Sequence, residues 1–292
     1  MKKNKLIIVI LLISLFVNGQ NHDGIPVSGA KPITRDSFIR DNQPTLTNSQ
    51  KTIKSNESAK IVTATPTGGS PEVGVIAGQL SVSLSGAALY NIPILVPPGL
   101  NSVEPEISLQ YNSQQGNGLA GYGWSIKGIS TISRISSAKY LDGTIDAVDL
   151  DNLDRFALDG QRLVVKNGTT GIYGSNETIY ETENFSNIKI TSYGVGSNGG
   201  PAYFLIQYPD GSLAQYGSST NSRSITDWSI SYWENPQGVR INYNYIIDTN
   251  SQYISSITYG SIREVTPINT INFIYASGNQ PETMYVGGLR IH

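Results

Sequence analysis

Apolar and polar residues alternate along most of the chain from about Val73 onward. In EISLQY (106–111) every second residue is apolar, and the same alternation recurs in WSISY (228–232) and VRINYNY (239–245). A period of two is typical of half-buried β-strands. Helical periodicity is unconvincing throughout this region, and the best candidate, DAVDLDNLDRF (146–156), is short.

Turn signals separate the predicted strands at intervals of about ten residues, as expected for hairpins. They are Pro97-Pro98-Gly99, Asp142-Gly143, Asp159-Gly160, Asn167-Gly168 and Pro209-Asp210-Gly211. Two stretches, YPDGSLAQY (208–216) and NPQGVRINY (235–243), align with Pro, Gly and Tyr in register. The fold class that follows is all-β, an antiparallel sheet built from hairpins.

The first 72 residues differ from the rest. MKKNK followed by the apolar run LIIVILLISLFV (6–17) predicts a signal peptide, residues 1–19, cleaved after Gly19. An uncleaved anchor is the alternative, although the run is short for a bilayer core of about 30 Å. Residues 20–72 are rich in Ser, Thr, Asn, Lys and Pro, with Phe38 as their only aromatic residue, and we predict a mostly disordered linker. Residues 73–292 form the predicted β domain.

The amino-acid composition argues against several kinds of partner and functional site. The net charge of −2 gives no reason to expect a nucleic-acid partner, and the absence of cysteine excludes disulfides, cysteine-based zinc sites and a lipoprotein anchor. The only histidines are His22 and His292, so a Ser-His-Asp triad or a histidine metal site in the β domain is not expected. With no second long apolar stretch, we expect an exported, soluble chain without enzyme activity or cofactor.

GNGLAGYGWS (116–125) contains the G-x-G-x-x-G pattern of dinucleotide sites and follows a predicted strand. That site requires a helix after the glycines. Gly123, Gly128 and several β-branched residues disfavour a helix here. We therefore interpret the segment as a structural corner that packs closely around Trp124.

Three other patterns allow alternative functions. Glu104-Pro105-Glu106 and Glu181-Thr182-Glu183 match the Glu-x-Glu spacing of ADP-ribosyltransferases but lack the preceding Ser-Thr-Ser strand. The aromatic pair Trp228 and Trp233 could line a sugar groove, although core packing is the more frequent role. An acidic run could supply calcium ligands, but its order is not that of an EF-hand, and a solvated loop is the simpler interpretation. The run consists of Asp142, Asp146, Asp149, Asp151 and Asp154.

Residues 85–134 resemble the opening signature of the SpvB/TcaC N-terminal family. The matching elements are Ile92-Pro93-Ile94, the turn Pro97-Pro98-Gly99, the strand from Pro105 to Asn112, and the segment from Gly116 to Arg134. Further similarity lies in DRFALDGQRL (154–163), in residues 228–245 and in YVGGLRI (285–291). The resemblance covers roughly residues 74–292.

The resemblance implies a non-enzymatic module. Family members open large secreted or surface proteins with Rhs/YD repeats, including the B component of insecticidal toxin complexes, where the domain joins a hollow β-shell around a C-terminal effector. We expect a fragment, a truncated reading frame or a domain remnant of such a protein, truncated at its C-terminal end. Its strands, about a dozen, could form an open curved sheet, and its partners would be other segments or subunits of the assembly. The alternative is an adhesin-like module for glycan or calcium. The predicted structural residues are Pro97, Pro98, Gly99, Gly116, Gly118, Gly121, Gly123, Trp124, Asp159 and Gly160.

Overall fold

The computed structural model describes residues 78–276 and 283–291. The predicted signal peptide, its cleavage site and the predicted linker lie outside the described residues, so they stay predictions. Within the described residues, no helix has the length and apolar character needed to cross a membrane.

The N-terminal part of the described chain forms a four-stranded antiparallel sheet in the order β1-β2-β3-β6, with a two-stranded hairpin, β4-β5, inserted before its last strand. The first six strands are β1 (Gln79–Val82), β2 (Ala88–Pro93), β3 (Ser108–Asn112), β4 (Asn117–Gly118), β5 (Gly121–Tyr122) and β6 (Trp124–Lys127). A short 3-10 helix, Leu100–Ser102, lies between β2 and β3.

The next eight strands form a closed, barrel-like sheet in the order β7-β8-β9-β10-β11-β12-β13-β14, in which β14 pairs with both β13 and β7. They are β7 (Thr131–Ile135), β8 (Arg155–Leu158), β9 (Gln161–Val165), β10 (Ile179–Thr182), β11 (Lys189–Tyr193), β12 (Tyr203–Gln207), β13 (Leu213–Tyr216) and β14 (Asp227–Glu234). We call these eight strands the ring. The sequence allowed for an open curved sheet, and the pairing of β13 with β14 instead closes these eight strands.

Three further strands extend the ring from the C-terminal half of β14, where Tyr232–Glu234 pair with β15. They are β15 (Val239–Asp248), β16 (Ser251–Ile262) and β17 (Asn269–Asn272), and a separate hairpin is made by β18 (Met284–Val286) and β19 (Leu289–Ile291). Every pairing is antiparallel between strands that alternate apolar and polar residues, which confirms the predicted fold class.

The interior of the ring is filled by side chains. Trp228, Phe204 and Tyr180 have no exposed surface, and Phe156 contacts both Trp228 and Phe204 edge-on, with ring centroids 5.3 and 5.4 Å apart. Every second residue of a strand points inward, so the apolar residues that recur with the predicted period of two form one continuous core.

Helical structure is scarce in the described part of the chain. The best helical candidate from the sequence, residues 146–156, forms a loop followed by the start of β8. The one α-helical turn, α1 (Lys139–Asp142), ends at Gly143 in the left-handed conformation with φ 73°, as is common after a helix. A second 3-10 helix spans Thr220–Ser222.

Candidate functional site

The glycine-rich corner is a β-hairpin and not a phosphate loop. Asn117 pairs with Tyr122 and Gly118 with Gly121, so the chain reverses at Leu119-Ala120. The backbone N–H of Gly123 donates to the carbonyl of Gly116 at 2.9 Å, and its carbonyl accepts from Asn112 at 2.8 Å. No helix follows these glycines before β6, so the corner lacks the N-terminal amides that bind a pyrophosphate.

Two glycines of the corner are required for different reasons. A Cβ atom at Gly118 would collide with the carbonyl oxygen of Trp124. Gly123 has a φ of 77°, and a Cβ there would lie 2.6 Å from the ring of Tyr111. Gly121 also has a positive φ, 113°, whereas a Cβ at Gly116 would meet nothing within 4 Å.

Trp124 belongs to an apolar row that crosses the four-stranded sheet. The registers place Leu80 opposite Tyr90, Tyr90 opposite Tyr111, and Tyr111 opposite Trp124. The rings of Tyr111 and Trp124 are tilted against each other with centroids 5.5 Å apart. Because opposite residues share a face, this row packs as a unit.

The turn Pro97-Pro98-Gly99 links the four-stranded sheet to the extension of the ring. The hydroxyl of Tyr259 donates to the Pro97 carbonyl at 2.7 Å, and the amide of Asn269 donates to the Pro98 carbonyl at 3.3 Å. The two bonds join residues 162 and 171 positions apart, so the turn is a long-range contact between the two sheets.

Asp159 and Gly160 form the turn between β8 and β9. The carboxylate of Asp159 accepts from the Ser130 hydroxyl at 2.6 Å and from the Thr131 backbone N–H at 2.9 Å. The turn is thereby fastened to the start of β7, on the neighbouring strand of the ring.

Buried ion pairs, which sequence reasoning missed, hold the loop between β7 and β8. Arg134 and Asp154 are bonded at 2.7 Å, with side chains 1% and 0% exposed. The other guanidinium nitrogen of Arg134 donates to the carbonyl of Asn198 at 2.7 Å, and the guanidinium also lies 5.5 Å from the ring of Trp228. A basic residue in an apolar strand followed by an acid twenty positions later was the only available signal.

Two further carboxylates are each shared by two arginines. Asp142 pairs with Arg155 and Arg162. Burial works to raise the pKa of Asp142, but the backbone N–H of Ala138 and the two guanidinium groups outweigh it and hold the pKa below its usual range.

Glu234, at the end of β14, pairs with Arg240 at 2.6 Å and with Arg263. Burial again opposes ionisation, and the hydrogen bonds and charges of these arginines hold the pKa of Glu234 below its usual range. The carboxylate ties together β14, β15 and the end of β16.

The alternative enzyme and sugar interpretations gain no support from the geometry. Glu104 accepts from the backbone of Gly99 at 3.2 Å, which is a turn contact. Trp228 is fully buried and its indole N–H donates to the Pro201 carbonyl at 2.8 Å, while Trp233 packs against the core. Trp228 therefore offers no surface to a sugar.

The described part of the chain includes two open cavities near loops. One, of about 290 Å³, lies beside Leu119, Ile126 and Tyr245, and the other, of about 240 Å³, is lined mostly by polar residues that include Arg223 and Asn250. Neither contains any of the predicted structural residues or either Glu-x-Glu pair.

The acidic run is divided by the fold. Asp142 and Asp154 form ion pairs with arginines. Asp146, Asp149 and Asp151 each place one carboxylate oxygen within 4.8 Å of the other two. The last two residues are exposed.

A family model described as "SpvB: Salmonella virulence plasmid 65kDa B protein" matches residues 82–272, more than half of the chain. The chain belongs to this family. The match includes the glycine corner, the whole ring and the three strands that extend it, and it confirms the resemblance seen in the sequence. No curated protein matches the chain significantly in sequence.

Solved structures share the fold. A crystal structure of TcdB2-TccC3 aligns with a TM-score of 0.50 and 20% identity over 65% of this chain. A second TcdB2-TccC3 structure, without the hypervariable C-terminal region, gives a TM-score of 0.50 and 21% identity over 67% of this chain. The alignments cover only 11% and 10% of those chains.

The N-terminal domain of effector protein SpvB from Salmonella typhimurium strain LT2 aligns with a TM-score of 0.45 and 22% identity, over 60% of this chain and 64% of that chain.

Proposed function

We propose that the chain is a non-enzymatic structural module of a secreted, toxin-complex or Rhs-like protein, whose sheet contributes to a shell that encloses or presents a C-terminal effector. Its partners would be other segments or subunits of that assembly. The family match supports the module, and the edge of the extended sheet carries the argument for assembly.

That edge is β17, the last strand of the eleven-stranded sheet. Within the described residues it pairs with β16 alone. Its inner face buries Ile271, whereas Ile268 and Ile274, on the other side of the strand line, are 77% and 67% exposed. The sequence from Pro267 to Pro281 contains no charged residue, so this edge lacks the charges with which proteins block strand addition.

The filled interior of the ring indicates how such a module would act. A core of Trp228, Phe156 and Phe204 leaves no room for a polypeptide inside the ring. If the chain helps to enclose an effector, it does so as one part of a wall that other strands complete. This argument supports the proposal without depending on any catalytic residue.

The test is the size of the natural secreted product. An antibody against residues 78–276 would be applied to culture supernatant of the source organism, followed by mass spectrometry of the captured species. The proposal expects a product far larger than the 31.6 kDa of this chain, captured with a C-terminal effector segment. A secreted product no larger than this chain, alone in solution, would contradict it.

A second assay tests the proposed absence of catalysis. Release of nicotinamide from NAD by the purified chain would be measured beside Glu181→Gln and Glu183→Gln variants. The proposal expects no activity above buffer. Activity that either substitution removes would overturn the non-enzymatic assignment.

A further inference from the structure

The loop between β7 and β8 carries three carboxylates that the ion pairs of the molecule leave out. Asp146, Asp149 and Asp151 each offer an oxygen within 4.8 Å of the other two. None of the three takes part in an ion pair within residues 78–276 and 283–291. Two oxygens bound to one Ca²⁺ at about 2.4 Å are at most about 4.8 Å apart, so three oxygens within this limit can share one cation.

A buried hydroxyl provides an independent observation. Ser137 is 4% exposed, and its Oγ has no hydrogen-bond partner. Ser137 forms an antiparallel bridge with Asp146, in which its N–H donates to the Asp146 carbonyl at 3.1 Å. Residues opposite each other in an antiparallel pair carry their side chains on the same face, about 5 Å apart at Cβ, so the side chains of Ser137 and Asp146 share a face.

A buried polar group without a partner is costly, and native proteins rarely tolerate one without a reason. The Ser137 hydroxyl has lone pairs to offer, and Ser137 shares a face with Asp146, whose carboxylate has two other carboxylates as neighbours. A divalent cation would satisfy the hydroxyl oxygen and the three negative charges together. Water alone would solvate the hydroxyl but leave the charges close to one another.

The carboxylate of Asp154 holds the backbone around Asp149 in place. Asp154 accepts from the N–H groups of Asp149 at 3.3 Å and Leu150 at 3.0 Å, and is itself fixed by Arg134. These bonds turn the two amides inward. The loop is therefore ordered before a cation arrives, which lowers the entropic cost of binding.

We propose that Asp146, Asp149 and Asp151, with the hydroxyl of Ser137, form a Ca²⁺ site on the loop that connects the first two strands of the ring. All four donors are oxygen atoms, which suits Ca²⁺. Asp149 and Asp151 are exposed, so water completes the coordination. The affinity expected for an open site of this kind is that of extracellular calcium modules, a Kd of about 10⁻⁴–10⁻³ M.

The probe is Ca²⁺ itself, titrated by calorimetry into the full chain after treatment with EDTA. Saturable binding of one ion is expected, and about 5 mM CaCl₂ is expected to raise Tm by about 2–5 °C, with a smaller effect of MgCl₂. No saturable heat at millimolar concentrations, or equal shifts with both salts, would overturn the proposal.

Variants locate the site. The double variant Asp149→Asn, Asp151→Asn should weaken Ca²⁺ binding at least tenfold, and Ser137→Ala should weaken it about threefold. Asp248→Asn, which removes an exposed acid outside the loop, is the matched control and should bind as the unmodified chain does. Equal losses in the control, or unchanged affinity of Ser137→Ala, would contradict the site as drawn.

The same variants separate binding from folding. In EDTA, the double variant should melt at or above the temperature of the unmodified chain, since it removes two mutually repelling charges. Lost Ca²⁺ binding together with a lower Tm in EDTA would show a structural role for these carboxylates and overturn the proposal. The calcium site does not depend on the proposed assembly function, because its test uses the isolated chain.

Discussion

At the scale of single residues, the glycines of the corner are not equivalent. Gly116 and Gly118 are two positions apart, and neither has a positive φ. A Cβ at Gly118 would collide with the Trp124 carbonyl, whereas a Cβ at Gly116 would find open space. Both residues are part of the G-x-G-x-x-G motif. In the structure, however, close packing requires a glycine only at position 118 of these two.

A pair of substitutions tests this difference. Gly118→Ala should lower the free energy of unfolding by about 1–3 kcal/mol, because backbone atoms at the contact cannot move aside easily. Gly116→Ala should change it by less than about 0.5 kcal/mol. Urea denaturation of both variants measures the difference, and equal effects would show that close approach at Gly118 is not what selects glycine.

Trp124 provides a second residue-scale prediction. Its indole is partly buried against Tyr111, so Trp124→Ala should reduce the free energy of unfolding by about 2–3 kcal/mol. Tyr122→Ala is the control, because Tyr122 is 69% exposed two residues earlier. Its thermal melt should stay near that of the unmodified chain. An unchanged Tm for Trp124→Ala would remove its predicted structural role.

Asp154 carries the sharpest prediction of this kind. Asp154→Asn leaves the guanidinium of Arg134 buried without its counter-charge, which should cost about 3–5 kcal/mol. The double variant Asp154→Asn, Arg134→Met should recover part of the loss, because it removes the stranded charge. Chemical denaturation measures both, and a double variant no more stable than Asp154→Asn would argue against charge burial as the cause.

At the scale of elements, alternation predicted the strands but not their partners. The two Pro-x-Gly stretches, 208–216 and 235–243, do form the hairpins β12-β13 and β14-β15. Strand β14, in contrast, pairs with β7, β13 and β15, and its contact with β7 joins residues almost a hundred positions apart. Such pairing depends on register and closure, which local periodicity does not encode.

The edge strand β17 allows an element-scale prediction. Thr270→Lys places a charge on the exposed side of the strand, which should disfavour addition of another strand while leaving Tm within about 2 °C. Recovery of the larger natural assembly should fall. Leu95→Lys, at a loop residue 87% exposed, is the control and should leave recovery unchanged. Size-exclusion chromatography with light scattering measures both, and normal assembly of Thr270→Lys would exclude this edge.

At the scale of the whole molecule, the sequence indicated an all-β family member but suggested an open sheet. Closure through β13 and β14 requires a register shift between Gln215 and Tyr216, for which the sequence contains no distinct signal. The sequence also could not predict that Asp146, Asp149 and Asp151 lie close together, because each of the five acids in this run could equally have contacted an arginine, a cation or solvent. The arginines that divide them lie on β7, β8 and β9.

Global stability should depend on pH through Asp142 and Glu234, the two carboxylates that are each shared by two arginines. The pKa values of Asp142 and Glu234 are lowered in the folded state from ordinary values of 3.8 and 4.5. A lowered folded pKa means that the stabilisation is present above the unfolded pKa and is lost as pH falls through the folded pKa. The free energy of unfolding should therefore be constant from about pH 7 to 5 and decline below about pH 4.5.

Glu234→Gln tests the contribution of Glu234 to this effect. It should be less stable than the unmodified chain at neutral pH, because Arg240 and Arg263 lose their shared anion, and its stability should decline less steeply below about pH 4.5. Glu183→Gln changes an exposed carboxylate directly after β10 and should reproduce the unmodified profile. Urea denaturation between about pH 3 and 7 gives the three curves. Parallel curves for Glu234→Gln and the unmodified chain would show that Glu234 does not link proton binding to the closure of β14, β15 and β16.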